Sequence, residues 1–205
     1  VEKLIRKIDG LQKGSISKTV ASRLCEFKEN GRDPGKIFSE LCFCICTANN
    51  SAERGLRAQK EIDFCGLPEK RLRKRMKEVV CRFYNHKTEY IMAARRSRKK
   101  IIAQVRSAKD ARELREWLIK NVKGLGCKEA SHFLRNIGFE DVAIIDFHII
   151  DILAKNRIIR RPKTLTIKNY LKIEERLSKI AAETKTSLAA LDLYLWCLET
   201  GKVLK

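Results

Sequence analysis

Apolar residues recur at spacings of three and four along nearly the whole chain, and only three prolines (Pro34, Pro68, Pro162) and ten glycines interrupt them. Sustained alternation of apolar and polar residues is scarce. A side chain returns to one face of an α-helix about every 3.6 residues and to one face of a strand every second residue, so the pattern predicts an all-α fold. A length of 205 residues allows one ordinary core or two small lobes.

The punctuation divides the chain into helices. Leu4 to Lys28 reads as one or two opening helices, and Asp33-Pro34-Gly35 as a turn. Ile37 to Thr47 is apolar on nearly every face, which marks a buried central helix. Ser51 is an N-cap for a helix through Gln59 to Ile62, ended by Cys65-Gly66-Leu67-Pro68. A short helix follows from Glu69 to Val80, then one long helix from Asn85 or His86 through Arg95 toward Val105. Asp110 with Glu113 has the spacing of a capping box for Ala111 to Asn121. Further helices are expected over 128–137, 145–155 and 167–183, with a basic loop at Arg160-Arg161-Pro162. Ser187 caps the last helix, and Gly201 ends it.

Lys and Arg number 45 against 25 Asp and Glu, a formal net charge of +20. Thermophilic enrichment raises both signs together, so an imbalance this large favours a polyanionic partner, nucleic acid first. The N-terminal VEKLIRKIDG is charged and helix-patterned, unlike a signal peptide, and no apolar run approaches the roughly 20 residues of a membrane span. A soluble, cytoplasmic protein without membrane contact is expected, numbered from a point after any initiator Met. Eight cysteines form no Cys-x-x-Cys pair. Cys42, Cys44 and Cys46 would fan round a helix and not converge on one ion, so neither a metal site nor any cofactor is expected.

The segment VKGLGCKEASHFLRNIGFEDVAIID, residues 122 to 146, carries the chemistry. Gly124 and Gly126 permit positive φ and remove Cβ bulk between two helices. Such a turn leaves backbone N–H groups at a helix start for a phosphate oxygen, and Lys123 adds charge beside them. Lys128 lies in the first turn of the second helix. The dipole there disfavours a cation and so favours the neutral, nucleophilic amine. Asp146 sits between Ile145 and Phe147, where a carboxylate is costly unless it caps a helix or serves a site. His148 reads as a packed or phosphate-facing histidine.

GLGCKEASHFLRN followed by VAIIDFHI resembles the catalytic core of the helix-hairpin-helix DNA glycosylases, and in particular the archaeal-type 8-oxoguanine DNA glycosylase/AP lyase family. ELCFCICTANNSAERGLRAQKEI, RFYNHKTEYIMAARR and LDLYLWCLETGKVLK extend the similarity over residues 1–205 as a single glycosylase unit, its helix-hairpin-helix at about 111–137. The resemblance implies a two-lobed helical bundle with a DNA cleft between lobes, acting as a monomer on double-stranded DNA containing 8-oxoguanine. It implies Lys128 as the nucleophile that attacks C1′, Asp146 as the essential acid, and a Schiff base that permits β-elimination. It assigns Lys205 to telling 8-oxoguanine from guanine, and favours Phe83 and Trp196 as surfaces for the flipped base, although their composition favours the core. Gln59 and Asn49 read as helix or loop caps that also offer polar contacts. Only Cys197 lies where an iron–sulfur cluster would need four cysteines, so no cluster is implied. Phe147 departs from the basic residue expected after the catalytic Asp. A non-catalytic helix-hairpin-helix module, a glycosylase for another damaged base, and an RNA-binding helical protein remain as alternatives.

Overall fold

The protein is described by a computed structural model over residues 1–203. Among these residues every regular element is helical, and there are twelve: α1 (Glu2–Lys13), α2 (Ile16–Arg32), α3 (Pro34–Thr47), α4 (Ala52–Glu61), α5 (Glu69–Glu78), α6 (Tyr84–Arg96), α7 (Arg98–Ser107), α8 (Ala111–Asn121), α9 (Cys127–Asn136), α10 (Phe147–Lys155), α11 (Ile167–Glu183) and α12 (Leu188–Thr200). The chain forms two compact units, a hairpin unit, Asn30–Phe133, and a split unit made of Val1–Glu29 with Leu134–Lys205. The two expected lobes correspond to these units.

In the hairpin unit the core forms around α3. Ten of its residues are buried, from Ile37 and Phe38 to Cys46 and Thr47. The predicted turn at Asp33-Pro34-Gly35 is instead the start of this helix. Pro34 occupies its first position, where the missing N–H costs nothing, and Asp33 Oδ1 accepts from the Gly35 and Lys36 amides at 2.6 and 3.0 Å. α4 packs tightly on α3 because Gly55 has no side chain; a Cβ there would stand 2.2 Å from Thr47 Cγ2. Gln59 Nε2 donates to Ser39 Oγ and Glu40 Oε1 at 3.1 and 3.0 Å, a helix-to-helix brace.

The long helix predicted from residue 85 toward 105 is two helices. The chain breaks at Ser97, whose N–H bonds back to Ala93 and Ala94 carbonyls. Serine competes for backbone partners and supports helices poorly. The neighbouring cations fix the break. Arg95 donates to the Phe64 and Leu67 carbonyls, while the Arg98 guanidinium lies over the Phe38 ring, 5.1 Å from its centroid.

In the split unit α12 packs against α1, α10 and α11. Its N-cap Ser187 accepts from the Ala190 amide, and Gly201 closes it at φ +73, both as predicted. Arg135 pairs with Asp192, and its guanidinium stacks over Phe27 at 5.0 Å. Removing one member of a buried pair leaves an uncompensated charge, so this contact ties α9 to α12 more firmly than a surface pair would. The predicted 167–183 helix matches α11 at both ends.

Candidate active site

The hairpin rests on well-capped helices. Asp110 Oδ1 accepts from the Arg112 and Glu113 amides at 2.7 and 2.8 Å and starts α8, a cap worth about 1 kcal/mol. Arg115 of α8 donates to Ser131 Oγ of α9 at 3.1 Å within the buried seam. Between the helices Val122 and Leu125 are buried, while Lys123, Gly124 and Gly126 are exposed. Apolar residues therefore anchor the turn and its basic, glycine-bearing edge faces solvent. Such an edge has the chemistry that suits a phosphate: backbone N–H groups beside the Lys123 ammonium.

The two glycines serve different needs: both permit positive φ, and only Gly124 adopts it. Gly124 has φ +87, and a Cβ on it would lie 2.5 Å from Tyr90 Cδ2. Gly126 is not among the positive-φ residues, and its Cβ would meet only the flexible Glu129 carboxylate, at 3.3 Å. Gly124→Ala should cost at least the roughly 1–2 kcal/mol of a left-handed alanine. For a chain of this size that lowers Tm by about 2–8 °C, while Gly126→Ala should shift it by under about 2 °C in the same thermal melts.

Lys128 lies in the first turn of α9 with its side chain 29 % exposed, and Nζ stands 3.8 Å from Glu129 Oε1. The amine is thus held near the hairpin surface with a carboxylate in reach.

Asp146 is set by the split unit. Residues 142–145 are buried and without regular secondary structure before it. Tyr170 and Glu174, one turn apart on α11, grip that run. The Tyr170 hydroxyl donates to Ala143 O at 2.6 Å and accepts from the Ile145 amide at 3.2 Å, and Glu174 Oε1 accepts from the Ala143 amide at 2.9 Å. Asp146 then caps α10, its Oδ1 accepting from the Ile149 amide at 3.0 Å. One oxygen builds the helix start, and the residue is partly exposed.

Around that helix start stand aromatic rings. Phe147 is 62 % exposed and lies 4.0 Å from His148, centroid to centroid. His148 meets Trp196 of α12 edge-on at 5.1 Å. The Trp196 Nε1–H is buried without an acceptor, a cost of about 1–3 kcal/mol that a polar ligand atom would relieve.

Phe83 belongs to the α5–α6 turn of the hairpin unit. It is 52 % exposed at φ +58, a left-handed geometry rare for an aromatic, and the Arg82 guanidinium lies 5.0 Å from its ring centroid. The turn is held from beneath. Buried Lys87 donates to the Cys46 and Ala48 carbonyls at 2.8 and 2.6 Å, at the end of α3. The Cys46 thiol, and then the Lys87 ammonium, hold the neighbouring Cys81 thiol down to about 7. Strain of this kind persists only where packing enforces it.

The structure thus brings Lys123, Gly124, Gly126 and Lys128 onto one hairpin, and Asp146 and Trp196 to the His148 corner of the split unit. Phe83 sits on a separate turn, and Gln59 is a brace within the core. Asn49 is exposed at φ +51 just after α3. Lys205 lies outside the described residues. No group of three His, Cys, Asp or Glu side chains is placed to hold a metal ion among the described residues, and no described helix is long and apolar enough to cross a membrane. Sequence reasoning missed Tyr90, Glu129, Tyr170 and Glu174. A polar pair at 170 and 174 on the otherwise apolar face of α11 was a usable signal; the Tyr90 contact under Gly124 left none.

Residues 20–186 match the family model for 8-oxoguanine DNA glycosylase. The 8-oxoguanine DNA glycosylase/AP lyase of Methanocaldococcus jannaschii is 48 % identical over 206 residues, covering 98 % of this chain and 99 % of that protein. The protein of the same name from Korarchaeum cryptofilum is 44 % identical, covering 100 % and 99 %. The crystal structure of the M. jannaschii glycosylase/lyase in complex with a 15mer DNA containing 8-oxoguanine superposes with a TM-score of 0.94 at 46 % identity, over 99 % of this chain and 100 % of that one. The 8-oxoguanine DNA glycosylase of Thermotoga maritima superposes with a TM-score of 0.92 at 40 % identity, over 100 % and 99 %. An all-helical chain with a glycine hairpin, a first-turn lysine and near end-to-end similarity to these enzymes belongs to the 8-oxoguanine DNA glycosylase family.

Proposed function

We propose that residues 1–205 act as a single, monomeric glycosylase unit on double-stranded DNA, excising 8-oxoguanine and nicking the strand by β-elimination, with Lys128 as nucleophile and Asp146 as the essential acid. The observation that carries this reading is the hairpin itself: a phosphate-suited turn and a solvent-reaching amine share six residues, in a chain with family-wide similarity to glycosylase/lyases. The place of action is then beside the chromosome, in the cytoplasm of a prokaryotic cell. The similarity to enzymes from heat-loving organisms agrees with a thermophilic source.

The target base must leave the duplex before its glycosidic carbon is reachable, at a cost of a few kcal/mol. Backbone N–H groups of the hairpin and Lys123 offset that cost through the phosphates. The Lys128 lone pair forms the C1′–N bond as the C1′–N9 bond breaks, and its displaced proton passes to a carboxylate. The fixed charge of Asp146 stabilises positive charge developing on the sugar. Ring opening gives the imine; loss of a C2′ proton then expels the 3′ phosphate. One covalent intermediate serves both base release and strand cleavage.

8-Oxoguanine differs from guanine by an N7–H donor and an O8 acceptor, so selectivity needs an acceptor facing N7. Lys205, with its terminal carboxylate and its ammonium, and the Trp196 and Phe83 rings are our assignments for that recognition. The test is single-turnover base release across duplexes carrying 8-oxoguanine, guanine, thymine glycol or a mismatch. Release from 8-oxoguanine should exceed the others by at least about a hundredfold. Faster release of another base would reassign the substrate, and equal selectivity after deletion of Lys205 would remove that residue from recognition.

A further inference from the structure

Helix α5, EKRLRKRMKE, holds six basic residues in ten, and its structure divides them into two sets. Arg73 pairs with Glu69 at 2.5 Å, and Arg75 with Glu78 at 2.7 Å and Glu61 at 3.7 Å. Arg73 and Arg75 thereby use every acid on α5 and the last acid of α4, while exposed Arg71 has no acidic partner among the described residues. Lys70, Lys74 and Lys77 are exposed and have no acidic partner among the described residues. At roughly 100° per residue these three lysines fall within an arc of about 60°, opposite buried Leu72 and Met76.

A merely solvated helix face in a charge-rich protein alternates signs at i,i+3 and i,i+4. Here the same spacings join lysine to lysine, an arrangement that destabilises an isolated helix and is relieved when a polyanion docks. The stripe spans about 10 Å, the rise of about three base steps along one DNA strand. It leads along the helix toward exposed Arg82 and Phe83.

We propose that the Lys70–Lys74–Lys77 face of α5 is a second DNA-backbone contact of the hairpin unit, gripping duplex phosphates independently of the Lys123–Gly126 turn. It rests on the glycosylase reading for the identity of the polyanion, and it assigns these lysines to affinity and placement, not to chemistry.

The test measures binding of the full chain to an undamaged duplex by fluorescence anisotropy between about 50 and 200 mM salt, because each phosphate contact contributes about 0.9 to the slope of log K against log salt. Lys70→Gln/Lys74→Gln/Lys77→Gln should flatten the slope by about 2 to 3 and leave excision at saturating enzyme unchanged. A charge-matched control on exposed lysines of α11, Lys168→Gln/Lys172→Gln/Lys179→Gln, should flatten it by less than about 1. Glutamine keeps helix propensity, and an unchanged circular-dichroism melt verifies folding. An unaltered slope in the α5 variant, or equal losses in both variants, overturns the proposal; the latter marks a diffuse field. Failure of wild-type protein to release 8-oxoguanine would count against the glycosylase reading alone, since binding to undamaged duplex is measured separately.

Discussion

Lys128→Gln should abolish both the borohydride-trapped complex and strand nicking, with excision of 8-oxoguanine reduced by at least about a thousandfold. The substitution is chosen so that the fold and the grip survive. Lys128 is partly exposed in the first turn of α9, and its ionic neighbour among the described residues is Glu129 at 3.8 Å. An ion pair of that exposure contributes about 0–1 kcal/mol. Glutamine supports a helix as well as lysine does. The proposed phosphate-binding edge, Lys123 with Gly124 and Gly126, is left intact, so affinity for duplex should fall by less than about tenfold, the order expected from losing one charge. A variant that binds normally but neither traps nor nicks separates a catalytic amine from a non-catalytic DNA-binding module. Trapping at the wild-type rate would remove Lys128 from the chemistry.

Asp146→Asn should slow base release by about 10²- to 10⁴-fold while leaving stability nearly unchanged. The structure makes this substitution unusually clean. Asp146 caps α10 through the Ile149 amide, and asparagine is an equally good cap, so only the charge is lost. Asp146→Ala loses the cap as well, at about 1 kcal/mol, which lowers Tm by about 2–4 °C for a chain of this size. Activity that follows the charge and melting that follows the cap would assign the two tasks of this residue separately. Near-normal release by the asparagine variant, with unaltered melting, would show that the carboxylate only starts a helix.

Much of the fold is legible in the sequence because local signals dominate an all-α chain. Ser51, Asp110 and Ser187 act as caps where side chain and spacing predict them, and Gly201 closes α12 in the left-handed conformation. The failures lie where a local pattern has two readings. Asp33-Pro34-Gly35 has turn composition, yet Asp–Pro is also an N-cap followed by a favoured first helical residue, and the buried run after it settles the matter. Apolar periodicity continues through Ser97, so only the tertiary contacts of Arg95 and Arg98 reveal the break.

The candidate site is legible in part for the same reason. Hairpin residues are contiguous, so Lys123, Gly124, Gly126 and Lys128 are found together in sequence and in space. What orients them is not contiguous. Tyr90 lies over thirty positions from Gly124, and Tyr170 and Glu174 reach residues 143–145 from another helix. These supporting contacts depend on packing between distant segments, which a single sequence does not display. Phe147 is the opposite case: an exposed ring where the resemblance implied a basic residue, visible in the sequence and confirmed as surface by its 62 % exposure.

The most direct measurement is the identity of the covalently trapped residue. The full chain is reacted with duplex containing 8-oxoguanine in the presence of borohydride, digested with protease and nuclease, and mapped by mass spectrometry. A single sugar-derived adduct is expected, on the peptide that carries Lys128. An adduct on any other lysine, or none from protein that releases the base, would contradict it.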